Sequence, residues 1–274
     1  FAPRAVGWKR VVGELPEAIL SVWSDDLDEI WLCGADIDDG SGPLLMANSG
    51  EGWTRYLSKF DGDLWWVFGV GEIRYFVGES GLFLRHRVGT KVLERIETGT
   101  DATLFGVWGP SEDELWLVGG FVSPQNGKGV LLRMEDGVVR HVAELPEGVS
   151  PTASFFKVWG TGKDNVWVVG EEGHILHYNG AEWSLEKAEG ADRLVTVHGS
   201  GTGDLVAVGG LTRASLLEYS ETSGWEDLSP PGMAMLQGVF VGADGRAVAA
   251  GMLNAVMERE GGAWHELESP PEFL

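Results

Sequence analysis

The chain has 274 residues, of which 42 are acidic and 20 are basic, so its formal net charge is −22. Such a strongly negative field repels phosphate backbones, and we therefore expect no nucleic-acid partner. No apolar run approaches the roughly 18 residues that a membrane helix needs, and a single cysteine, Cys33, excludes an intramolecular disulfide.

The composition favours many short strands over helices. The 41 glycines are spread evenly, which indicates many tight turns, and the 13 tryptophans supply large side chains for a packed core. No segment keeps a helical period for three turns. The composition and the periodicity therefore predict an all-β chain.

A glycine that ends a run of strand-forming residues recurs along the whole chain. It stands at Gly34, Gly78, Gly119, Gly170, Gly209 and Gly251. A valine precedes each glycine by 12 residues, or by 11 in the second unit, at Val22, Val67, Val107, Val158, Val197 and Val239. This constant register indicates an internal repeat.

The first candidate element in chain order is residues 7–12, which resembles the last strand of a unit and could close the structure by pairing with the final unit. Six units follow as parts of a single domain over residues 1–274. They cover approximately residues 18–58, 63–98, 103–144, 154–188, 193–229 and 236–269. Because residues 264–268 already read as a fourth strand of the last unit, a seventh unit stays an alternative.

The fourth unit shows the pattern most fully. Its strand-forming runs are residues 155–160, Asn165–Gly170, His174–Tyr178 and residues 182–187, and Asn179-Gly180 forms a hairpin turn between the last two. A strand-only repeat of about 40–45 residues with glycine-ended hairpins is typical of propeller blades, whereas a sandwich or a solenoid fits it less well. We therefore predict a β-propeller with six four-stranded blades, or alternatively seven.

The repeats resemble two groups of propellers. The order Gly209-Gly210, Tyr219 and Trp225 resembles a kelch repeat. The runs VWG…NVWVVGEEGHILHYNGAEW in unit four and FVGESGLFLRH in unit two resemble bacterial secreted propellers related to the photosystem II assembly factor and to Asp-box proteins. These resemblances imply the fold but no single activity, because such propellers include binders, assembly factors and enzymes.

The sequence contains no recognisable catalytic set. His174 and His177 lie three residues apart in one strand and so point to opposite faces. A phosphate-binding loop and a nucleophile elbow are both missing from the sequence, and the arginines are scattered. We therefore expect a protein that is not an enzyme.

The longer connections all belong to two classes, those between second and third strands and those between units. They are residues 36–42, 122–128, 145–152 and 228–234. In a propeller both classes open on the same face, which makes this loop face the predicted binding face. The polar residues predicted to bind a ligand there are Asp36, Asp38, Asp39, Glu79, Asn126, Lys128, Glu171, Glu172 and Arg213.

The Asp-rich loop also suggests a cation site. Flexible carboxylates suit calcium, so Asp36, Asp38 and Asp39 are predicted metal ligands, although the loop lacks the spacing of an EF-hand. Calcium is the single cofactor that the sequence suggests.

The leading functional hypothesis is a non-catalytic binding or scaffolding propeller that recognises a protein or a polar ligand on its loop face. The alternatives are a carbohydrate-binding, lectin-like propeller and a hydrolase or lyase with an axial active site. The resemblance, together with a first residue, Phe1, that is not Met, predicts a location outside the cytoplasm: secreted, periplasmic or surface-anchored. We expect a monomer.

Overall fold

The computed structural model describes residues 7–24, 29–121, 128–187, 191–201 and 203–268. These residues form six four-stranded antiparallel sheets, and the chain is a six-bladed β-propeller. It divides into two compact units, Val11–Glu144 with blades 1–3 and Leu145–Leu274 with blades 4–6, the second together with Phe1–Arg10. The predicted fold class is confirmed, with six blades and not seven.

The strands of each blade follow one another in the sheet in chain order. The strands of blades 1–3 are β1 Ile19–Ser24, β2 Ile30–Gly34, β3 Leu45–Asn48, β4 Trp53–Arg55, β5 Leu64–Val70, β6 Ile73–Gly78, β7 Phe83–Arg87, β8 Leu93–Arg95, β9 Thr103–Ser111, β10 Glu114–Phe121, β11 Lys128–Glu135 and β12 Val138–His141. The strands of blades 4–6 are β13 Phe155–Gly162, β14 Asn165–Gly170, β15 His174–Tyr178, β16 Trp183–Lys187, β17 Leu194–Gly199, β18 Leu205–Gly210, β19 Ala214–Ser220, β20 Gly224–Asp227, β21 Leu236–Val241, β22 Ala247–Gly251, β23 Val256–Glu260 and β24 Ala263–Glu266.

The repeated glycines are required by a close backbone approach inside every blade. Each glycine pairs with a residue at the start of its blade's first strand, as Gly34 pairs with Ile19. A Cβ added to Gly34 would lie 1.9 Å from the carbonyl oxygen of Ala18, and the corresponding distances in the other five blades are 2.0–2.4 Å. Because no side chain fits there, the glycine register that predicts the blades has a steric cause.

The tryptophans of the second strands fill the spaces between neighbouring blades. Trp31 and Trp167 are almost fully buried. The Trp31 ring centroid lies 5.7 Å from that of Phe76 in the next blade, and the Trp167 ring centroid lies 4.9 Å from that of Tyr219. The structure therefore places these aromatic side chains in the core, as the sequence predicts.

Residues 7–12 lie within the described part of the chain and do not form a strand, so the predicted closing strand is wrong. The fourth-strand position of blade 6 is taken by β24, which pairs with β23. The segment is held by a side chain instead, because the Trp8 indole N–H donates to the Glu268 carbonyl oxygen at 2.9 Å.

Two single 3-10 turns, Glu79–Gly81 and Met252–Asn254, are the only helices in the part of the chain that the structure describes. They join the second and third strands of blades 2 and 6. Neither is long and apolar enough to cross a membrane.

Candidate functional site

The Asp-rich loop of blade 1 directs its carboxylates toward backbone amides. The Asp36 carboxylate accepts hydrogen bonds from the N–H groups of Asp38, at 2.9 Å, and Gly62, at 3.1 Å. The Ser41 N–H donates to Asp39 Oδ1 at 2.8 Å, and the hydrogen bonds from the Ser41 hydroxyl and N–H lower the pKa of Asp39. Among the described residues, no three His, Cys, Asp or Glu side chains could jointly hold a metal ion. Calcium binding stays a prediction.

Glu79 of blade 2 forms hydrogen bonds with the residue that precedes the first strand of its own blade. Its Oε2 accepts a hydrogen bond from the Asp63 N–H at 3.4 Å, and its own N–H donates to the Asp63 carbonyl oxygen at 3.0 Å. The Asp63 side chain in turn accepts the Asp36 N–H at 2.8 Å. The structure thus brings Asp36 and Glu79 together through Asp63, in contacts that hold the loops in place.

Glu171 has the corresponding role in blade 4. Its Oε2 accepts a hydrogen bond from the Ser154 N–H at 3.0 Å, and its Oε1 pairs with the Arg193 guanidinium at 2.8 Å. Arg193 also lies over the Phe156 ring, 5.2 Å from its centroid. This carboxylate is therefore neutralised locally.

Lys128, Glu172 and Arg213, three other predicted ligand residues, lie at the surface. Lys128 begins β11 opposite Phe121, and Arg213 lies in the connection between β18 and β19. Glu172 is exposed in a turn with a φ of +56°. Asn126 lies outside the described residues. Glu172 and Arg213 belong to the unit with blades 4–6, whereas Lys128 belongs to the unit with blades 1–3.

A charged cleft of about 450 Å³ lies between blades 5 and 6, at the strand ends away from the predicted loop face. Arg259 donates to Glu218 in this cleft at 2.7 Å, and the Trp264 indole N–H donates to the same carboxylate oxygen at 2.7 Å. Arg246 pairs with Glu258 at 2.5 Å. Both guanidinium groups in the wall are therefore engaged within the protein.

A second cleft, of about 330 Å³, lies between blades 2 and 3 at the same strand ends of its own unit. The Tyr75 hydroxyl donates to the Glu112 carbonyl oxygen at 3.1 Å, and burial raises the pKa of Tyr75 to about 12. Arg85 pairs with Glu94 at 2.6 Å. Like the first cleft, it has ion pairs in its wall.

The histidines with perturbed pKa values serve as packing groups. Burial lowers the pKa of His198 to about 4, and its Nδ1 accepts the Val241 N–H at 3.1 Å, which requires the neutral ring. Burial also lowers the pKa of His177, whose ring stacks on Trp167 at 3.8 Å between centroids. These rings lie within blade packing and line neither cleft.

Exposed apolar side chains collect at the loop ends of blades 5 and 6. Leu211 follows β18, Leu228 follows β20, and Met252 and Leu253 follow β22. All four are exposed, and Leu253 is 87% exposed. We call these four residues the Leu253 patch. Scattered apolar residues are ordinary on a protein surface, whereas apolar residues gathered on neighbouring loops indicate an interaction site.

Backbone hydrogen bonds tie the loops of the patch to one segment, residues 228–235. The Ala214 N–H, at the end of the Leu211 turn, donates to the Met233 carbonyl oxygen at 3.0 Å. The Met252 N–H donates to the Met235 carbonyl oxygen at 2.9 Å. Met233 and Met235 are themselves half-buried, and Met233 packs against the hydrophobic core of blades 5 and 6.

Leu253 is held outward by a strained backbone. It adopts φ +53° and ψ +37°, in the left-handed region that bulky L-residues avoid at a cost of about 1–2 kcal/mol. The turn is closed by hydrogen bonds from the Gly251 N–H to the Ala255 carbonyl oxygen, at 2.9 Å, and from the Ala255 N–H to the Met252 carbonyl oxygen, at 3.1 Å. The closed turn therefore presents the Leu253 side chain to water, at a backbone position where glycine or a polar residue would cost less.

No protein-family model matches the chain, and no curated protein matches it either. Its fold does match solved structures. YCF48 from Cyanidioschyzon merolae is 15% identical, with a TM-score of 0.70 over 98% of this chain and 89% of that one. YCF48 bound to D1 peptide is 19% identical, with a TM-score of 0.56 over 73% of this chain and 66% of that one. An ancestral GH74 enzyme is 11% identical, with a TM-score of 0.69 over 95% of this chain and 40% of that one.

These neighbours are β-propellers that include a peptide-bound protein and an enzyme. At such identities the likeness shows the fold alone, and it supports the resemblance to photosystem II assembly factor-like propellers at that level. The kelch resemblance stays a prediction.

Sequence reasoning pointed to the loop face but missed the Leu253 patch. The signal was present directly after the blade glycines, where blade 2 has Glu79-Ser80-Gly81 and blade 6 has Met252-Leu253-Asn254. Apolar residues at an aligned turn that blades 2 and 4 make polar would have identified it.

Proposed function

We propose that this chain is a non-catalytic, protein-binding β-propeller and that the Leu253 patch is its docking surface. The observation that carries the proposal is the exposure of Leu253 at a left-handed backbone position. An exposed leucine contributes nothing to the core, and its backbone conformation costs stability. Burying it and its neighbours against a partner would recover the hydrophobic free energy.

A neighbour in the same fold class supports a peptide or protein as the ligand, because a YCF48 structure contains a D1 peptide. The paired charges of both clefts and the packed, neutral histidines favour binding over catalysis. A location outside the cytoplasm and a monomeric state stay predictions.

A carbohydrate-binding function receives less support. Sugar sites commonly use an exposed aromatic ring, and Trp8 is the only tryptophan of the 13 that is exposed. Its indole N–H is already bonded to the Glu268 carbonyl oxygen, and no aromatic side chain belongs to the Leu253 patch.

Selection of short random peptides displayed on phage tests the proposal. Peptides enriched on the wild-type protein should fail to bind Leu253→Ser but should bind Leu57→Ser, a control that removes another highly exposed leucine. Unchanged binding to Leu253→Ser would contradict the assignment of the docking surface. A glycan array run in parallel with a specific, Leu253-independent hit would instead favour the lectin alternative.

A further inference from the structure

The surroundings of the Leu253 patch are acidic. Glu172, Asp192 and Asp227 are exposed and lie in loops or at strand ends of blades 4 and 5, at the same end of the blades as the loops of the patch. Asp227 directly precedes Leu228, and Asp192 directly precedes Arg193, whose carbonyl oxygen accepts the Gly210 N–H next to Leu211 at 2.8 Å.

The region around the patch has fewer positively charged than negatively charged side chains. Arg193 is paired with Glu171 at 2.8 Å, and Arg213 is exposed in the connection between β18 and β19. Three exposed carboxylates against one exposed guanidinium make the rim of the patch negative. The formal charge of −22 over the whole chain adds a long-range field of the same sign.

From these two features we infer that the occupant of the Leu253 patch is a partner-protein segment with an apolar centre flanked by lysine or arginine. The inference rests on the proposed function, since the apolar centre fills the patch. The flanking cations would meet Glu172, Asp192 and Asp227. Rim charges of this kind mainly raise the association rate and exclude partners of the wrong charge.

The geometry also limits the form of the segment. Leu211 and Met252 lie on turns that are tied to Met233 and Met235, two residues apart in one linker. A short segment can therefore contact both turns at once, with one end reaching the acidic residues of blades 4 and 5. Anionic segments with the same apolar centre would meet like charge and bind more weakly.

The test uses three versions of one peptide taken from the phage selection, with two-residue flanks of lysine, glutamate or glycine-serine. Fluorescence anisotropy at low salt should show the lysine-flanked peptide binding about tenfold more tightly than the glutamate-flanked one. The preference should shrink as the salt concentration rises, because the rim charges are exposed. Leu253→Ser should remove binding of all three peptides.

A rim variant separates charge from apolar contact. Glu172→Gln, Asp192→Asn and Asp227→Asn combined keep the side-chain shapes, and the Asn at 227 retains the acceptor for the Ser229 N–H that Asp227 now supplies at 2.9 Å. This variant should reduce the lysine preference below about twofold while the glycine-serine peptide binds as before.

The outcomes distinguish the two proposals. Leu253-dependent binding without a preference for lysine flanks, or a preference that the rim variant retains, overturns this inference and leaves the docking surface standing. An absence of any Leu253-dependent binding overturns both. A dimer of the protein alone that Leu253→Ser dissociates, or Leu253-dependent binding to zwitterionic vesicles, would assign the patch to a second copy or to lipid and would also overturn the inference.

Discussion

The turn of blade 2 and the turn of blade 6 have the same backbone and opposite surface chemistry. Ser80 adopts φ +53° and ψ +39°, and Leu253 adopts φ +53° and ψ +37°. Yet blade 2 places a serine at this position and a carboxylate, Glu79, before it, whereas blade 6 places a leucine and a methionine. The comparison teaches that the turn conformation is set by the blade and that the side chains on it are free to serve another purpose.

The largest expected difference in stability between the two turns concerns the residue that follows the shared left-handed position. Gly81 has a φ of +67°, and an added Cβ would lie 1.9 Å from the Thr100 carbonyl oxygen. Gly81→Ala should lower the free energy of unfolding by about 3 kcal/mol. Asn254→Ala, at the same turn position of blade 6, should cost about 1 kcal/mol, since that site already accommodates a side chain. Urea unfolding curves of both variants check this, and equal losses would break the comparison.

The next largest effects on the free energy of unfolding are expected from the carboxylates that directly follow the blade glycines. Glu171→Ala should lower the free energy of unfolding by about 2 kcal/mol, because it removes an acceptor and an ion pair, and Glu79→Ala by about 1 kcal/mol. Met252→Ala should change it by less than about 0.5 kcal/mol, since Met252 is exposed. Thermal and urea unfolding measure the series. A loss at Met252 as large as that at Glu79 would mean that the methionine has a structural role.

Replacing the strained residue by glycine should stabilise both turns. Leu253→Gly and Ser80→Gly should each raise the free energy of unfolding by up to roughly 1 kcal/mol, because glycine adopts a positive φ without steric cost and offsets part of this gain by its unfolded-state entropy. Only Leu253→Gly should abolish binding of the selected peptides. Differential scanning calorimetry measures the gain in stability, and fluorescence anisotropy measures the loss of peptide binding. A Leu253→Gly variant that binds normally contradicts it.

The smallest expected effect on stability concerns oxidation. Met252 is the most exposed methionine described, while Met134 and Met257 are buried. Dilute hydrogen peroxide should therefore convert Met252 to the sulfoxide before the other two, with a change in the free energy of unfolding below about 0.5 kcal/mol. Peptide mass spectrometry gives the order, and Met252→Leu is the control. Earlier oxidation of Met134 would show that the blade opens more readily than its packing indicates.

The blades could be predicted because their signal is steric and local. Each glycine faces a carbonyl oxygen of the same blade, so its position survives every change in the loops. The strand expected at residues 7–12 does not form. Its composition suits a strand, but composition cannot show that β24 already occupies the fourth-strand position of blade 6.

The candidate site was harder to predict because its chemistry depends on distant partners. The sequence suggests that Asp36 and Glu171 are free carboxylates. In the structure they accept hydrogen bonds from the N–H groups of Gly62 and Ser154, which belong to other loops. Leu253 read as an ordinary apolar residue. Its exposure follows from a backbone conformation that the blade, and not the leucine, determines.

The main-chain closure of the blade 6 turn has a practical consequence. Gly251 and Ala255 join through backbone atoms, and Gly78 and Leu82 join in the same way in blade 2. Because every non-proline residue supplies those atoms, residues 252–254 of blade 6 can be exchanged for other sequences, whereas Gly81 restricts the matching segment of blade 2. Natural or engineered substitutions at these three positions can therefore change what this loop recognises, while the strand register of blade 6 stays the same.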